Sequence, residues 1–402
     1  MKKLFYAIAI SATIFTGCSD DEGDEPIKVP VQGEITGDIT ANRTLVFGNY
    51  TLKGLVKIQP GVTLTIEAGS TFTADQADGE DGLVVLKGGR LVANGTANEP
   101  IVLTAKNRVG GQWAGIIMYG DAPIVNSSTA TGTQTATSED GLSQIYGGAD
   151  ATHNSGSLKY VRVEYAGLVF NNNTREHNGF SFYAVGSGTV LENLVSYKGN
   201  DDGFEFYGGT VSAKNLISYG NADDSFDWQD GWRGQESTNW FAYQTGVANY
   251  GMEIESKGVN NAFFPKLTNI TLKRAAGTAT ESQNEKQFDA IQFKSQGNGD
   301  FNNIVIDGYA SVETGFGSAI QIRDLGTYNN QVLGSKIKLT NVRITNTPVT
   351  FLSQNSGGAF TVTAANFGTS GANFTTSTTS IGASLTAGKW ATVDGLNLLA
   401  NL

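Results

Sequence analysis

The stretch that decides the fold runs from Asn200 to Trp232 and contains one motif written twice. Its first copy reads NDDGFEFYGG, and 22 residues later the second reads ADDSFDWQDGW. A fixed period near twenty residues is typical of solenoids, in which similar coils stack in one dimension. Apolar and polar residues alternate within each copy, which is the period of a β-strand. The motif therefore predicts a β-solenoid with one such short strand in each coil.

The same alternation continues on both sides of this stretch. Because side chains alternate across a strand, two residues of each strand point into the coil and two point outward. The six strands that we predict to share one register begin at Phe180, Phe204, Phe226, Met252, Ile291 and Ile320. The first outward column then holds Ser181, Glu205, Asp227, Glu253, Gln292 and Gln321. The second holds Tyr183, Tyr207, Gln229, Glu255, Lys294 and Arg323. Stacked strands lie about 4.8 Å apart, so the three carboxylates of the first column should be neighbours.

A column of asparagines supports the same architecture. Each precedes an apolar residue in a short strand-like run, at positions Asn193, Asn215, Asn239, Asn269, Asn303 and Asn341. Asparagines at one corner of successive coils can pass amide hydrogen bonds along the stack. The alternative is that asparagine merely tolerates turn geometry at these corners. We predict a ladder, and both interpretations are structural rather than catalytic.

The N-terminus resembles that of an exported bacterial lipoprotein. Residues 1–17 combine a basic start with an apolar run too short to span a bilayer, which predicts a signal peptide. FTGC, ending at Cys18, resembles a lipobox with Phe15 in place of the usual leucine, so we expect Cys18 to be lipidated. The acidic run after it, within a tether at 18–30, resembles the export signal of Bacteroidota lipoproteins. This resemblance implies an outer-membrane location facing the cell exterior; the alternatives are the periplasmic face and an acidic run that is only a solvated tether.

Composition indicates a large all-β protein that does not bind nucleic acid. The chain of 402 residues contains 51 glycines, 7 prolines and 16% charged residues, and its formal net charge is −11. A nucleic-acid-binding protein needs a basic surface, which this balance excludes. Cys18 is the one cysteine, so no disulfide can form within a single chain.

Three stretches carry a resemblance to a known family. They read PGVTLTIEAGS at 60–70, GGRLVANGTANEPIVLTA at 88–105 and GGQWAGIIMYGDAPI at 110–124. Together with the doubled motif, they resemble a family of bacterial secreted and outer-membrane β-helix proteins of the pectin-lyase-like type. The resemblance implies a right-handed parallel β-helix, frequent association with TonB-dependent receptors and no established reaction. We expect the β-helix at 31–352 and a C-terminal cap at 353–402, because a solenoid must cover its last coil. The long segment 126–157, rich in Ser, Thr, Gly and Ala, is either functional or mobile.

The doubled motif concentrates carboxylates in little over two coils, and crowded carboxylates raise one another's pKa or recruit a cation. Oxygen ligands in loose geometry suit calcium. We predict a metal site formed by Asp201, Asp202, Asp223 and Asp224. A column of small residues that includes Gly203 and Gly251 would leave room for a ligand along the face, with aromatic side chains as stacking platforms. The predicted ligand-binding residues are Glu205, Tyr207, Asp227, Trp232, Glu253 and Glu255. The alternative is a solvated acidic face whose corner aspartates bond to local backbone.

Two functions from different classes follow. The first is a surface-exposed outer-membrane lipoprotein that binds a ligand such as a glycan, or docks on a TonB-dependent receptor, without catalysis. The second is a polysaccharide lyase or hydrolase, because lyases of this fold pair acidic calcium ligands with a basic residue. Lys294 and Arg323 are the weak candidates for that base. Paired carboxylates could also hydrolyse a glycosidic bond. His153 and His177 are the two histidines of the chain, and we expect both to be loop residues. The sequence therefore gives little support to a histidine-dependent site.

Overall fold

The computed structural model describes residues 28–129, 132–170, 175–258, 264–281, 287–310 and 317–402. The predicted signal peptide, Cys18 and most of the acidic tether lie outside these ranges. Within them, no helix is long and apolar enough to cross a membrane.

The chain folds as a right-handed parallel β-helix, as the sequence predicted. Two large sheets of parallel strands run along its length, and the chain passes through both in each coil, with more than one strand of the second sheet per coil in the early part of the chain. We call the first the cleft sheet, because it carries the doubled motif and forms the floor of the candidate site. In the described part of the chain its strands are Leu55–Ile58, Gly82–Val85, Ile116–Tyr119, Phe180–Tyr183, Phe204–Tyr207, Phe226–Gln229, Met252–Ile254, Ile291–Phe293, Ile320–Asp324 and Phe351–Ser356.

The second sheet, which we call the ladder sheet, carries the asparagine column. Its described strands are Val31–Thr36, Arg43–Leu45, Gly48–Lys53, Thr63–Ile66, Thr71–Ala74, Arg90–Asn94, Ile101–Ala105, Gly156–Glu164, Val190–Tyr197, Ala213–Tyr219, Ser237–Gln244, Lys266–Arg274, Gly299–Asp307, Ile337–Thr345 and Phe374–Thr376.

Several smaller elements lie outside the two large sheets. Three antiparallel pairs join Ala136–Thr137 to Ile145–Tyr146, Val169–Phe170 to Arg175–Glu176, and Thr392–Val393 to Leu396–Asn397. Short 3-10 helices span Gln76–Asp78, Ala364–Asn366, Thr369–Gly371, Lys389–Ala391 and Leu398–Asn401. One α-helical turn at Leu325–Thr327 continues into a π-helical turn at Tyr328–Val332.

The strand register predicted for the cleft sheet is confirmed. Phe180 pairs with Phe204, which pairs with Phe226, and the same register continues through the next three strands. The inward side chains Phe204, Phe206, Phe226 and Trp228 are at most 1% exposed and belong to one hydrophobic core. The rings of Phe180 and Phe204 stack with centroids 4.9 Å apart. Each such buried side chain contributes about 1.5–3 kcal/mol of hydrophobic stabilisation.

The asparagine ladder is also confirmed. All six asparagines bend their strands with φ between 55 and 63°, in the left-handed region that asparagine tolerates better than most residues. Each Nδ2 donates to Oδ1 of the asparagine one coil earlier over 2.7–3.1 Å, in the pairs 215–193, 239–215, 269–239 and 303–269. The last step differs, because Asn341 donates to Asn302 at 2.8 Å rather than to Asn303.

The segment expected to be the cap has two parts. The first lies against the last coil, where Phe367 and Phe374 pack on Phe351 with ring centroids 5.4 and 4.8 Å apart. The second, residues 377–394, turns back along the ladder sheet, and we call it the strap. Its Ile381 N donates over 3.1 Å to the Oδ1 of Asn303 that the ladder leaves available. The strap therefore binds to an asparagine of the ladder.

The far end of the strap reaches the early coils. Trp390 N donates to the carbonyl of Ala97 over 3.1 Å, and its ring packs edge-on against Tyr160 with centroids 5.8 Å apart. Arg162 Nη1 donates to the carbonyls of Lys389 and Thr392 over 2.8 and 2.9 Å. Coils that are far apart in sequence are thus tied together by one segment.

Candidate functional site

The outward column of the cleft sheet is buried. Ser181, Glu205, Asp227 and Glu253 point away from the core, yet none is more than 9% exposed. Other segments must therefore cover this part of the sheet. The expectation of a solvated acidic face is wrong for these side chains.

The inserted segment 126–150 supplies much of the cover and forms the hairpin 136–146. Its turn is organised by Asp140, whose Oδ1 accepts hydrogen bonds from Ser138 Oγ at 2.7 Å and from Leu142 N at 3.0 Å. Ser138 and Asp140 are themselves buried, whereas Glu139 between them is exposed. These hydrogen bonds fix the conformation of the turn and leave the Glu139 side chain exposed on it.

Two tyrosines attach the hairpin to the body of the protein. Tyr119 of the cleft sheet donates its hydroxyl to the Asp140 carboxylate. Tyr146 of the hairpin donates to Asp230 over 2.5 Å, and Lys257 Nζ contacts the same carboxylate at 2.6 Å. The hairpin is therefore fastened at its turn and at its second strand.

Stacked tyrosines form the wall beneath the hairpin. Tyr183 lies between Tyr119 and Tyr207, with ring centroids 5.0 and 3.9 Å away, and Tyr146 packs against Tyr183 at 5.0 Å. Burial raises the pKa of the Tyr207 hydroxyl well above its usual value, and the nearby Glu205 carboxylate raises it further. Tyr207 therefore acts as a hydrogen-bond donor in this site.

The Asp-Asp pairs at the corners of the coils have divided roles. Asp202 Oδ1 accepts from Asp224 N over 2.9 Å, and Asp224 Oδ1 accepts from Tyr250 N over 2.6 Å. These two aspartates fix one corner to the next. The alternative expectation had them bond to local backbone, whereas the N–H groups that they bind lie 22 and 26 residues further along the chain. Asp224 is outside both clusters of potential metal ligands described next, so its assignment as a metal ligand is not supported by the geometry.

Two overlapping clusters of carboxylate oxygens could hold a cation. Asp201, Asp202 and Asp223 form the first, and Asp202, Glu205 and Asp227 form the second, with the ligand atoms of each cluster within 4.8 Å of one another. Within the second cluster, Asp227 Oδ1 is buried and has no hydrogen-bond partner. A buried carboxylate oxygen without a donor is costly unless a cation or a proton satisfies it.

Electrostatics in the second cluster favour the neutral acids. Burial is the largest cause, and it raises the pKa of Asp202 and Asp227 well above the usual range. Burial and the neighbouring charge of Glu139 raise the pKa of Glu205 to about 7, although hydrogen bonds from Tyr207, Gln229 and Asn178 oppose the shift. Such mutual repulsion is what a bound divalent cation would relieve.

Glu205 is held in place by three donors. Asn178 Nδ2 donates to its Oε2 over 2.6 Å, the Tyr207 hydroxyl donates to the same oxygen, and Gln229 Nε2 donates to its Oε1 over 3.1 Å. Gln229 Nε2 also lies 3.4 Å from Glu139 Oε1. One amide therefore connects the carboxylate of the sheet with that of the hairpin.

The next coils pair their carboxylates with lysines. Glu253 Oε2 lies 2.5 Å from Lys294 Nζ, and Glu255 Oε1 lies 3.8 Å from Lys257 Nζ. Burial would lower the pKa of Lys294, but the charges of Glu253 and Asp227 outweigh it and raise that pKa above its usual value. A lysine that holds its proton so firmly is a poor general base. Arg323, on the same outward column, is exposed.

Two further expectations are wrong. Trp232 was expected to face a ligand, but it is buried in the core against Phe206 and donates to the carbonyl of Val211 over 3.0 Å. The predicted column of small residues also leaves no space for a ligand at the two glycines that it includes. A methyl group at Gly203 would lie 2.5 Å from Ser218 Oγ, and one at Gly251 would lie 2.6 Å from the Tyr309 hydroxyl oxygen.

The structure adds residues that sequence reasoning missed. Three cavities of about 340, 480 and 740 Å³ meet at Glu139. The smallest is also lined by Asp140, His177 and Asn178, next to Asp202 and Glu205. His177 is a loop residue as expected, but it is buried with its Nε2 2.7 Å from Glu80 Oε1. The signal available in the sequence was an acidic pair, Glu139 and Asp140, inside a long polar insertion.

A separate cavity of about 690 Å³ lies beside residues 187–192 and 210–214, where turns lead into two strands of the ladder sheet. Its hydroxyl groups are engaged in the turns, since Ser212 Oγ accepts from Gln235 N and Glu236 N over 3.1 and 3.0 Å. Among its described lining residues, no buried polar side-chain atom lacks a partner. This cavity is therefore not the candidate site.

Comparison with known proteins agrees with the parallel sheets. The family model described as a pectate-lyase-like β-helix domain matches residues 33–392. The chain belongs to this family. Searches of curated proteins and of solved structures returned no match.

The pectate-lyase-like match covers both sheets, the hairpin and nearly all of the strap. The family includes enzymes and proteins that are not enzymes. Membership therefore establishes the fold, and any function must be argued from the carboxylates of this chain.

Proposed function

We propose that this protein is a non-enzymatic binding protein whose cleft holds a divalent cation, and through it a ligand. The observation that carries the proposal is the buried Oδ1 of Asp227, which lacks a donor and lies with Asp202 and Glu205 in one cluster. Calcium fits this set, because it takes oxygen ligands in loose geometry and needs no nitrogen or sulfur. The cation would replace protons that the buried acids otherwise retain at neutral pH.

The chemistry around the cluster suggests the ligand. Asn178, Ser181, Tyr183 and Tyr207 line the cavity with amide and hydroxyl groups and aromatic rings, beside the carboxylates. Such a mixture suits a hydroxyl-rich molecule, and a calcium ion with open coordination positions could bind its hydroxyl or carboxylate oxygens. A glycan is the ligand class that fits best. A loop of a TonB-dependent receptor with acidic side chains would use the same chemistry.

The proposed location rests on the N-terminal sequence. We propose that a lipid on Cys18 anchors the protein in the outer membrane, and that the acidic residues after it direct the β-helix to the cell exterior. A cleft displayed there would meet extracellular glycans or receptor loops.

Glu205 favours a second candidate function, that of a polysaccharide hydrolase or lyase. A carboxyl group whose pKa is about 7 can act as a general acid at neutral pH, and other carboxylates share its cavity. The raised pKa of Lys294 weakens the lyase version, which needs a basic residue that releases its proton. Incubation with acidic and neutral polysaccharides, followed by reducing-end and unsaturated-product assays, tests for either reaction. Product release that Glu205→Gln abolishes would replace the binding proposal by the enzymatic one.

Calcium-dependent melting tests the binding proposal. The full chain should melt at a higher temperature in calcium than in chelator, because a ligand at a hundred times its Kd stabilises the folded state by about 2.7 kcal/mol. Asp227→Asn should remove most of that difference. Asp289→Asn is the matched control, since Asp289 is also buried but accepts hydrogen bonds from Ser318 and Gln321 outside the cluster. Melting that ignores calcium, together with no metal by elemental analysis, would refute the proposal.

A further inference from the structure

We propose that Glu139, carried by the hairpin, is a binding residue of the same site and acts as a pair with Glu205, which lies on the cleft sheet below it. This inference rests on the proposed function, because it concerns the ligand of the same cavity. It assigns a role to the inserted segment, which the repeat pattern of the coils does not predict.

The first support is the position of Glu139. It lines all three cavities that meet above the cleft sheet, and it is exposed between two buried neighbours, Ser138 and Asp140. A ligand that extends from one cavity into another must therefore pass this carboxylate.

The second support is the link to the floor of the site. Gln229 Nε2 lies 3.1 Å from Glu205 Oε1 and 3.4 Å from Glu139 Oε1, so a single amide bridges the two carboxylates. Gln229 also accepts from Lys257 Nζ over 2.9 Å through its Oε1, which orients the amide so that its NH₂ group faces the acids. The spacing of the pair is thus set by a side chain that is itself held.

The third support is that the hairpin is fastened rather than free. Tyr119 bonds to Asp140 next to Glu139, and Tyr146 bonds over 2.5 Å to Asp230, which directly follows the strand Phe226–Gln229. A binding residue is effective when its support fixes it before the ligand arrives. The two tyrosine contacts provide that support for Glu139.

The buried Asp227 oxygen points to what the pair would bind. Asp227 is nine-tenths buried and belongs to the cluster that contains Glu205, and its Oδ1 has no donor. A cation in that cluster sits beside Glu205, and Glu139 faces it across Gln229. Glu139 then adds a negative charge beyond the three proposed direct ligands and strengthens cation binding through the field in the cleft.

Calorimetric titration of the full chain with calcium tests the role of Glu139. Glu139→Gln should weaken calcium binding about tenfold by removing one nearby charge. Glu139→Asp keeps the charge and should restore most of the affinity. Glu192→Gln is the control, because Glu192 lies on the ladder sheet beside Lys159 and should have no effect. Glu139 is exposed, so the variants should fold, which an unchanged melting temperature in chelator would verify.

The outcomes separate the two proposals. Unchanged affinity in Glu139→Gln, with loss of binding in Asp227→Asn, overturns the role of Glu139 and leaves the cation site intact. Equal binding by the wild type, Glu139→Gln and Asp227→Asn overturns both. A tenfold loss that Glu139→Asp fails to restore would mean that the position of the carboxylate, and not its charge alone, determines binding. That result still supports Glu139 as a binding residue of the site.

Discussion

Asp202 and Asp224 are equivalent in sequence and are joined by a hydrogen bond, but only Asp202 lies among the clustered carboxylates. Asp202 Oδ1 accepts from Asp224 N at 2.9 Å, whereas Asp224 Oδ1 accepts from Tyr250 N at 2.6 Å. Asp202 lies in both carboxylate clusters, and Asp224 lies in neither. The repeat thus places a structural acid in one coil and an acid with a potential ligand role in the coil before it.

This division predicts different effects for substitutions of Asp224. Asp224→Ala should lower the free energy of unfolding by about 1–3 kcal/mol, because it leaves the buried Tyr250 N–H without an acceptor. Asp224→Asn should cost less, since its amide oxygen can still accept. Both variants should keep the response to calcium, measured by urea unfolding with and without the ion. Loss of that response in Asp224→Asn would restore Asp224 as a ligand.

The core of the cleft sheet should be sensitive to truncation. Phe204→Ala should lower the free energy of unfolding by about 3–5 kcal/mol, because the ring is fully buried between Phe180 and Phe226 and the substitution leaves a cavity. Val46→Ala, at a side chain that is 46% exposed, is the control and should change it by less than about 0.5 kcal/mol. Equal effects of the two substitutions, measured by denaturant unfolding, would contradict the burial of Phe204.

Stability without divalent cations should decrease as the pH rises. Burial raises the pKa of Asp289 from 3.8 to about 6, although hydrogen bonds from Ser318 and the charge of Arg274 oppose the shift. Because the folded-state pKa is the higher one, the stabilisation is complete below about pH 4 and is lost as the pH rises through 6. Its size is about 3 kcal/mol. Glu205, with a pKa of about 7, acts in the same direction at slightly higher pH.

Thermal unfolding in chelator between pH 4 and 8 measures this dependence. Asp289→Asn resembles the protonated acid and should flatten the lower part of the profile. A melting temperature that rises steadily over the whole interval would mean that these carboxylates are ionised and well compensated in the folded protein.

Release of the strap should loosen the ladder sheet along its length. Trp390→Ala removes a buried side chain that packs on Tyr160, so it should cost about 3–5 kcal/mol and detach the strap locally. Hydrogen exchange should then accelerate at Ile381 N and Ala383 N, which donate to Asn303 and Thr271 in the folded protein. Exchange confined to the immediate neighbours of residue 390 would show that the strap docks in independent pieces.

The proposed anchor is tested in cells. Cys18→Ala should prevent lipidation and release the protein from the membrane fraction. Replacement of Asp20, Asp21 and Glu22 by alanine should keep lipidation but reduce digestion by protease added to intact cells. A membrane-bound Cys18→Ala variant, or unchanged digestion of the second variant, would contradict the corresponding part of the proposal.

The sequence predicted those features that recur from coil to coil. The two-residue alternation defined which side chains of Phe204–Tyr207 point inward, and the asparagine spacing defined the ladder. Alternation applies only while the strand continues, which explains the failure at Trp232. Asp230 and Gly231 adopt φ of 54 and 70°, so the chain has turned before it reaches that ring.

Contacts between inserted or distant segments had no repeat to reveal them. The Tyr119–Asp140 contact depends on how an insertion folds back over the sheet, and no periodicity relates the two residues. Burial of Glu205 follows from that same cover, so the sequence identified the carboxylate but not its enclosed environment. The strap was predicted only as a cap, because its partners lie up to hundreds of residues earlier in the chain.

The strap also has a consequence for the order of assembly. Coils of a solenoid contact mainly their neighbours, so they can stack as the polypeptide leaves the ribosome from its N-terminus onward. Trp390 meets its partners Ala97 and Tyr160 only after the described coils between them have been made. Fastening by the strap therefore follows stacking, and a product that stops before residue 377 should retain its coils but lack the contacts that tie distant coils together.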